Sequence, residues 1–195
     1  MSRCGRIYRR FLASTGGLAA VEFALVFPML LLMLLAGIDA GRAVAISMKV
    51  RTAAYALNSM ANTYVTPIDD SNMTGMLNAT SKVLAPYPLA PAVVKLTQVK
   101  ISSSGQATVS WSDSLNGTAY SLGASITIPA ALAGTSAPNK TCNSFPCYLL
   151  LAEVAYTYTP MFGHFITGPI TLSDNTYVTP RSLACIQRNA IPASC

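Results

Sequence analysis

From Leu18 to Ile38 the chain reads LAAVEFALVFPMLLLMLLAGI, an apolar run with a single charged side chain, Glu22. At 1.5 Å per residue it makes a helix of about 30 Å, the thickness of a bilayer's hydrocarbon core. A carboxylate inside a membrane segment is expensive, so Glu22 points to a function. Pro28 falls within the run, where a membrane helix tolerates it at the cost of one backbone hydrogen bond and a kink.

Charge orders the chain around this run. The net charge is +6, and Arg3, Arg6, Arg9 and Arg10 supply most of it before the apolar stretch begins. With four arginines and no acid on one flank, against Asp39 and Arg42 on the other, the N-terminus is expected in the cytoplasm and the rest outside. The remainder lacks the clustered basic stripe of a nucleic-acid binder. Only 10% of residues are charged and the mean hydropathy is +0.44, which fits an anchored or exported chain. Asp39 and Arg42, three apart, are expected to form a solvated pair at the interface. Gly37 and Gly41 have the spacing of a helix-packing face.

Helical periodicity continues past the span. Ile46, Val50, Ala53, Leu57, Met60 and Tyr64 recur at three and four, with Lys49, Arg51, Asn58 and Asn62 expected on other faces. Pro67 sets the end near Thr66. A second helix is expected from Ser71 to Leu84, capped by Asp70 or Ser71, with Met73, Met76, Leu77, Thr80 and Leu84 on one face. After Pro86–Pro91 the period changes to two. Lys95–Ser102 reads as a strand, Ser103–Gly105 as a turn, and Ala107, Val109 and Trp111 as one face of the return strand. Ser125–Ile128 reads as a short strand. Tyr148–Tyr158 reads as a long one, with Leu150, Val154 and Tyr156 inward, and Ile170–Val178 pairs near it. The fold class is α+β: a long N-terminal transmembrane and amphipathic helix, a short second helix, then an antiparallel sheet of four or five strands. Residues 1–17 form a basic leader, 18–41 the membrane helix, 42–66 its amphipathic continuation and 67–195 the domain outside.

Four cysteines, Cys142, Cys147, Cys185 and Cys195, then lie in an oxidising compartment, enough for two disulfides. Pairing Cys142 with Cys147 and Cys185 with Cys195 closes short loops, and sequence alone does not choose between this and the other two connectivities. Their spacings are not those of a metal site. His164 sits among Met161, Phe162 and Phe165 with no acid or nucleophile arranged around it, so it reads as a loop or sheet-edge residue. No phosphate-binding loop or dinucleotide fingerprint occurs. No catalysis, cofactor, metal or small-molecule substrate is expected.

The leader gives Glu22 its context. Gly17 ends the basic segment, Leu18 follows, and Glu22 and Phe23 are the fifth and sixth residues after that glycine. This resembles a prepilin-type signal, which a membrane peptidase cuts after the glycine. The cut would create an α-amine on Leu18, with a reference pKa near 8, largely protonated at neutral pH. Leu18 and Glu22 share a helix face, so the carboxylate gains a partner in its own chain or in a neighbouring subunit.

The stretch Ala19–Pro28, the leucines after it and Gly37-Ile38-Asp39-Ala40-Gly41-Arg42 are similar to the start of the TadE-like family, minor pilins or pseudopilins of the tight-adherence (Tad or Flp-type) pilus system. Val154–Pro160, Ile170–Leu172 and Thr179–Arg181 resemble that family's closing strands. The resemblance implies a pilin-like fold, cleavage between Gly17 and Leu18, and recognition and assembly roles for Glu22 and Phe23. It implies a single-pass protein of the bacterial inner membrane with a periplasmic domain. Its implied partners are a prepilin peptidase, other Tad/Flp pilins and the assembly platform, in the service of adhesion and biofilm formation. Two alternatives stand beside it. One is an uncleaved TadG-like anchor. The other is an exported binding protein or enzyme with a secretory signal, cut after Ala43-Val44-Ala45.

Overall fold

The structure is a computed structural model that describes residues 16–129, 132, 145–163, 167–181, 184–189, 191 and 195. The leader as far as Thr15, Cys142, His164 and most of the 130–147 loop lie outside them.

Helix α1 runs unbroken from Gly16 to Ala61, 46 residues, or about 70 Å. Pro28 lies inside without ending it. Among the described residues nothing covers its first half: the large apolar side chains from Val21 to Leu34, and Ile38, are exposed. Its second half buries Ile46, Val50, Ala53, Ala54, Leu57 and Ala61, the alanines letting the sheet approach closely. The helix stops at Ala61, short of the expected Thr66. There the Asn62 side chain turns to the segment after the last strand, and the Thr63 hydroxyl takes the Met60 carbonyl at 2.7 Å, a local bond that competes with helix. Asn58 and Asn62 are not on a solvent face. They are 1% and 6% exposed, in the packed interface.

Helix α2 spans Asp70–Leu84. Its N-cap is Asp69, one residue before the expected choices, whose carboxylate accepts from the Asn72 amide at 2.6 Å and satisfies one otherwise orphaned donor. Met73, Met76, Leu77, Thr80 and Leu84 are all buried, as their spacing requires. The turn at 85–91 brings Tyr87 edge-on to Tyr156, ring centroids 6.3 Å apart.

The strands are β1 (Ala92–Ile101), β2 (Ala107–Leu115), β3 (Cys147–Tyr158) and β4 (Ile170–Val178). They form one antiparallel sheet in the order β2-β1-β3-β4. Strand β1 starts three residues before the expected Lys95 because Ala92–Val94 pair with Tyr156–Val154 of β3. Gly105, at φ 78°, closes the β1–β2 turn in the left-handed region that favours glycine. A bulge shifts the register so that Gln98 faces Trp111 while Val99 faces Val109. One extra residue reverses the side-chain alternation. Trp111 therefore joins the helix-facing core, whereas Ala107 and Val109 point to the other side, and the expected common face is split.

Both faces of the sheet are covered. The helices pack on Val94, Leu96, Trp111, Leu150, Ala152, Val154, Tyr156 and Tyr158. A smaller core on the far side gathers Val99, Ile101, Ala107, Ile128, Leu149 and Leu151. Thus β3 is buried at Leu149 and Leu151 as well as at the expected Leu150, Val154 and Tyr156. Ser125–Ile128 is not a strand: Ser125 forms an isolated bridge to Thr108, and the Ile126 amide donates to Ala107.

The C-terminal segment is stitched back into this body. Cys185 and Cys195 are disulfide-bonded. Cys147 is also in a disulfide, and its expected partner Cys142 lies outside the described residues. The Trp111 indole donates to the Ile186 carbonyl at 2.8 Å, and the Ile186 amide donates to Gln98 Oε1 at 2.8 Å. Arg188, 5% exposed, donates to both Asp113 oxygens at 2.9 and 3.2 Å and to the Ile68 carbonyl at 3.1 Å. It also pairs with Asp70 at 2.6 Å. The Asp113 hydrogen bonds come first among the causes that raise the guanidinium pKa above its usual value.

Arg188→Met is expected to cost about 3 kcal/mol. That is the low end for breaking a buried ion pair, because Asp70 faces solvent and rehydrates. Denaturant unfolding of the full chain in detergent measures it, and a loss under 1 kcal/mol would show that Arg188 does not hold the tail.

Candidate functional site: the anchor helix and its lock on the domain

At its N-terminal end, α1 carries the residues singled out for cleavage and assembly. Gly17 is exposed, and a Cβ added there would touch nothing. Gly16 and Gly17 already have helical backbone, so presenting the Gly17–Leu18 bond in extended form would require this end to unwind. Two glycines ease that, each costing a helix about 1 kcal/mol relative to alanine. Glu22 is exposed and Phe23 is 62% exposed, its ring 5.4 Å from that of Phe27. Four residues separate Leu18 from Glu22, one turn or about 6 Å along the helix. Gly37 and Gly41 have open space where a Cβ would stand. Among the described residues nothing packs on them, and they leave an exposed stripe.

Asp39 departs from expectation. It is not a solvated partner of Arg42 but is 7% exposed, held by the loop that follows β3. The Phe162 and Gly163 amides donate to Oδ2, both at 2.8 Å, and the Met161 amide donates to Oδ1 at 3.1 Å. The Tyr158 hydroxyl completes the set, 3.3 Å from Oδ1. Three successive backbone amides curled around one carboxylate make an anion nest, here filled by the chain's own helix. Arg42 stays outside, with Nη1 3.7 Å from the Met161 sulfur. Burial, then the Asp39 charge and its hydrogen bond, push the Tyr158 phenol above its ordinary pKa.

Further along α1 the same logic recurs. Asn58 Nδ2 donates to the Thr176 carbonyl at 2.6 Å, and the Arg181 amide donates to Asn62 Oδ1 at 2.8 Å. Arg51 lies 3.7 Å from Asp174 at the surface, a contact of small energetic weight. Asp39, Asn58 and Asn62 thus bind backbone of the β3–β4 hairpin or the residues just after it. Sequence reasoning missed all three because their partners lie more than 110 residues away. The one local hint was polar residues recurring in an otherwise apolar helical pattern.

A second polar cluster lies on the sheet's far face. The Tyr120 hydroxyl donates to Glu153 Oε1 at 3.2 Å, and Lys95 Nζ stands 4.2 Å above the Tyr120 ring. An open cleft of about 270 Å³ beside them is lined by Val93, Lys95, Glu153 and Asn175, among others. Among the described residues, no three His, Cys, Asp or Glu side chains gather as metal ligands would.

Two predictions follow from the lock. Asp39→Ala leaves three loop amides without their acceptor. Their hydrogen exchange, read by mass spectrometry, is expected to accelerate about tenfold or more, while β1 and β3 keep their protection. Unchanged exchange at 161–163 would mean that the carboxylate does not hold the loop. The second concerns pH. Tyr120, Tyr156, Tyr158 and Tyr177 all have raised pKa values, burial being the first cause in each. A raised folded-state pKa contributes stability that is fully present below the unfolded value, about 10 for tyrosine, and lost as pH climbs through the folded value. Melting temperature should be level with respect to these groups up to about pH 10 and fall above it. Tyr158→Phe should make the fall shallower.

Residues 17–56 match the model of a family described as TadE-like protein. The match opens on Gly17, includes Asp39 and most of the core-facing half of α1, and ends before the sheet. No curated protein and no solved structure gives a significant match. Over this helix the chain is similar to the TadE-like family, which points to a protein associated with Tad pilus systems.

Proposed function

We propose that the chain is a minor pilin or pseudopilin of a Tad/Flp-type pilus, anchored by α1 in the bacterial inner membrane with its sheet domain in the periplasm. It acts by assembly, not catalysis. Its partners are a prepilin peptidase, other pilins and the platform that feeds them into the pilus, and the process it serves is adhesion and biofilm formation. The observation that carries this reading is the helix itself. One unbroken element has a bilayer-length exposed apolar half, a domain fixed to its other half, and a Gly17–Leu18 bond one turn from Glu22.

In the assembly step, the freed Leu18 amine and the Glu22 carboxylate attract each other in a low-dielectric setting, within a chain or between stacked helices. Charge attraction grows as the dielectric falls. The exposed stripe at Gly37 and Gly41 offers close approach to a neighbouring helix. The secretory alternative fits less well. A cut after Ala45 would remove Asp39 and leave the amides of 161–163 without the carboxylate they bind.

N-terminal sequencing of the mature protein extracted from membranes is expected to return Leu18. Ile46 would support secretion, and Met1 or Ser2 an uncleaved anchor of the TadG-like kind. Glu22→Ala should still insert yet leave pili few or absent by electron microscopy. Normal piliation in that variant would remove the assembly role from Glu22.

A further inference from the structure

Met161 and Phe162 are 62% and 42% exposed, at the tip of the loop that binds Asp39. They are two large apolar side chains side by side in solvent. Their height along α1 is fixed. The Phe162 amide reaches the Asp39 carboxylate at 2.8 Å, and Asp39 is the first residue after the apolar run ends at Ile38. Lining the other side is Arg42, exposed and one turn farther out, its guanidinium against the Met161 sulfur at 3.7 Å. Ile170, 37% exposed and paired with Tyr158 across the sheet, begins β4 close by.

We propose that the Pro160–Phe162 loop is a second membrane contact, placing Met161 and Phe162 in the headgroup–acyl boundary of the leaflet from which α1 emerges. The inference rests on α1 spanning the bilayer, and its surface is continuous with that span. Apolar and aromatic side chains settle in this zone, and a neighbouring arginine extends its charge toward lipid phosphates. The partner is a lipid surface, because a membrane boundary at Ile38 already lies at the level of the loop. A pocket in another protein would have to displace that boundary to reach the same side chains. With the loop inserted and Asp39 locking it to α1, the domain has two points of membrane contact. Its rotation about the helix axis and its tilt are then set, so one chosen face of the sheet is presented to whatever lies alongside.

The test uses the full chain in phosphatidylethanolamine–phosphatidylglycerol vesicles containing lipids brominated either near the glycerol end or deep in the acyl chain. Tryptophan is introduced by Phe162→Trp, Phe27→Trp or Tyr55→Trp, with buried Trp111 as the common background. Phe27 lies about 18 Å inward of Asp39 along the helix and Tyr55 about 24 Å outward. Shallow bromines are expected to quench the added emission of Phe162→Trp at least twofold more than that of Tyr55→Trp, with Met161→Trp behaving like Phe162→Trp. Quenching no greater than that of Tyr55→Trp, while deep bromines still quench Phe27→Trp, overturns the loop contact and leaves the span intact. Loss of quenching in Phe27→Trp as well overturns the span, and the loop contact with it.

Discussion

The carboxylate of Asp39 has to be solvated by something, and at 7% exposure water can do little of it. A buried charge is tolerated only where it is paired or fully hydrogen-bonded. Three amides from a loop and a phenol at the end of β3, all more than 115 residues away, meet that demand. The same bonds fix the loop, and through β3 the sheet, at one height on the helix. Without them α1 would still bury Ile46, Val50 and Leu57, but apolar packing is not directional and would leave the hairpin end free to slide or swing.

The remaining polar contacts extend that principle along the interface. Asn58 and Asn62 bind backbone atoms at and just beyond β4, so the helix carries polar anchors at both ends of its packed half. On the opposite side of the domain, Arg188 joins Asp113 on β2, Asp70 at the start of α2 and the Ile68 carbonyl between the helices. The Cys185–Cys195 disulfide closes the segment that presents Arg188. A small domain whose main helix extends far beyond it gains specificity from such contacts, since each is satisfied in a single register only.

Local signals were legible where the physics is local. The continuation of α1 past the apolar run, the buried face of α2, the β1–β2 hairpin and the pairing of β3 with β4 all follow from periodicity and turn chemistry. The disulfide between Cys185 and Cys195 was legible from compartment and spacing as one of several connectivities. What escaped were features set by distant partners. The bulge that turns Trp111 toward the helices answers to Gln98 and Ile186. The nest around Asp39 answers to a loop with no sequence mark beyond Pro160 and Gly163. Asn58 and Asn62 looked like solvent-facing residues because polarity alone does not reveal a carbonyl waiting across an interface. At the anchor end, the Gly17, Leu18 and Glu22 spacing was visible from the sequence because all three lie within two turns of one helix.

The continuity of α1 joins these two kinds of feature into one mechanical object. Glu22 and Asp39 are 17 residues apart in a single helix, about 26 Å, with no loop between them to absorb rotation or displacement. A helix drawn or turned at Glu22 therefore moves the Asp39 nest and the sheet with it, apart from whatever bend Pro28 allows. Pro28 lies between the two acids, six residues from Glu22 and eleven from Asp39, and is the one position in that stretch where the hydrogen-bond ladder loses a donor. Bending is thus confined to the half of the helix whose large apolar side chains are exposed. The half that carries the domain stays straight enough to keep Asp39, Asn58 and Asn62 opposite their partners. The helix is thus adaptable along its exposed apolar half and fixed where it holds the domain.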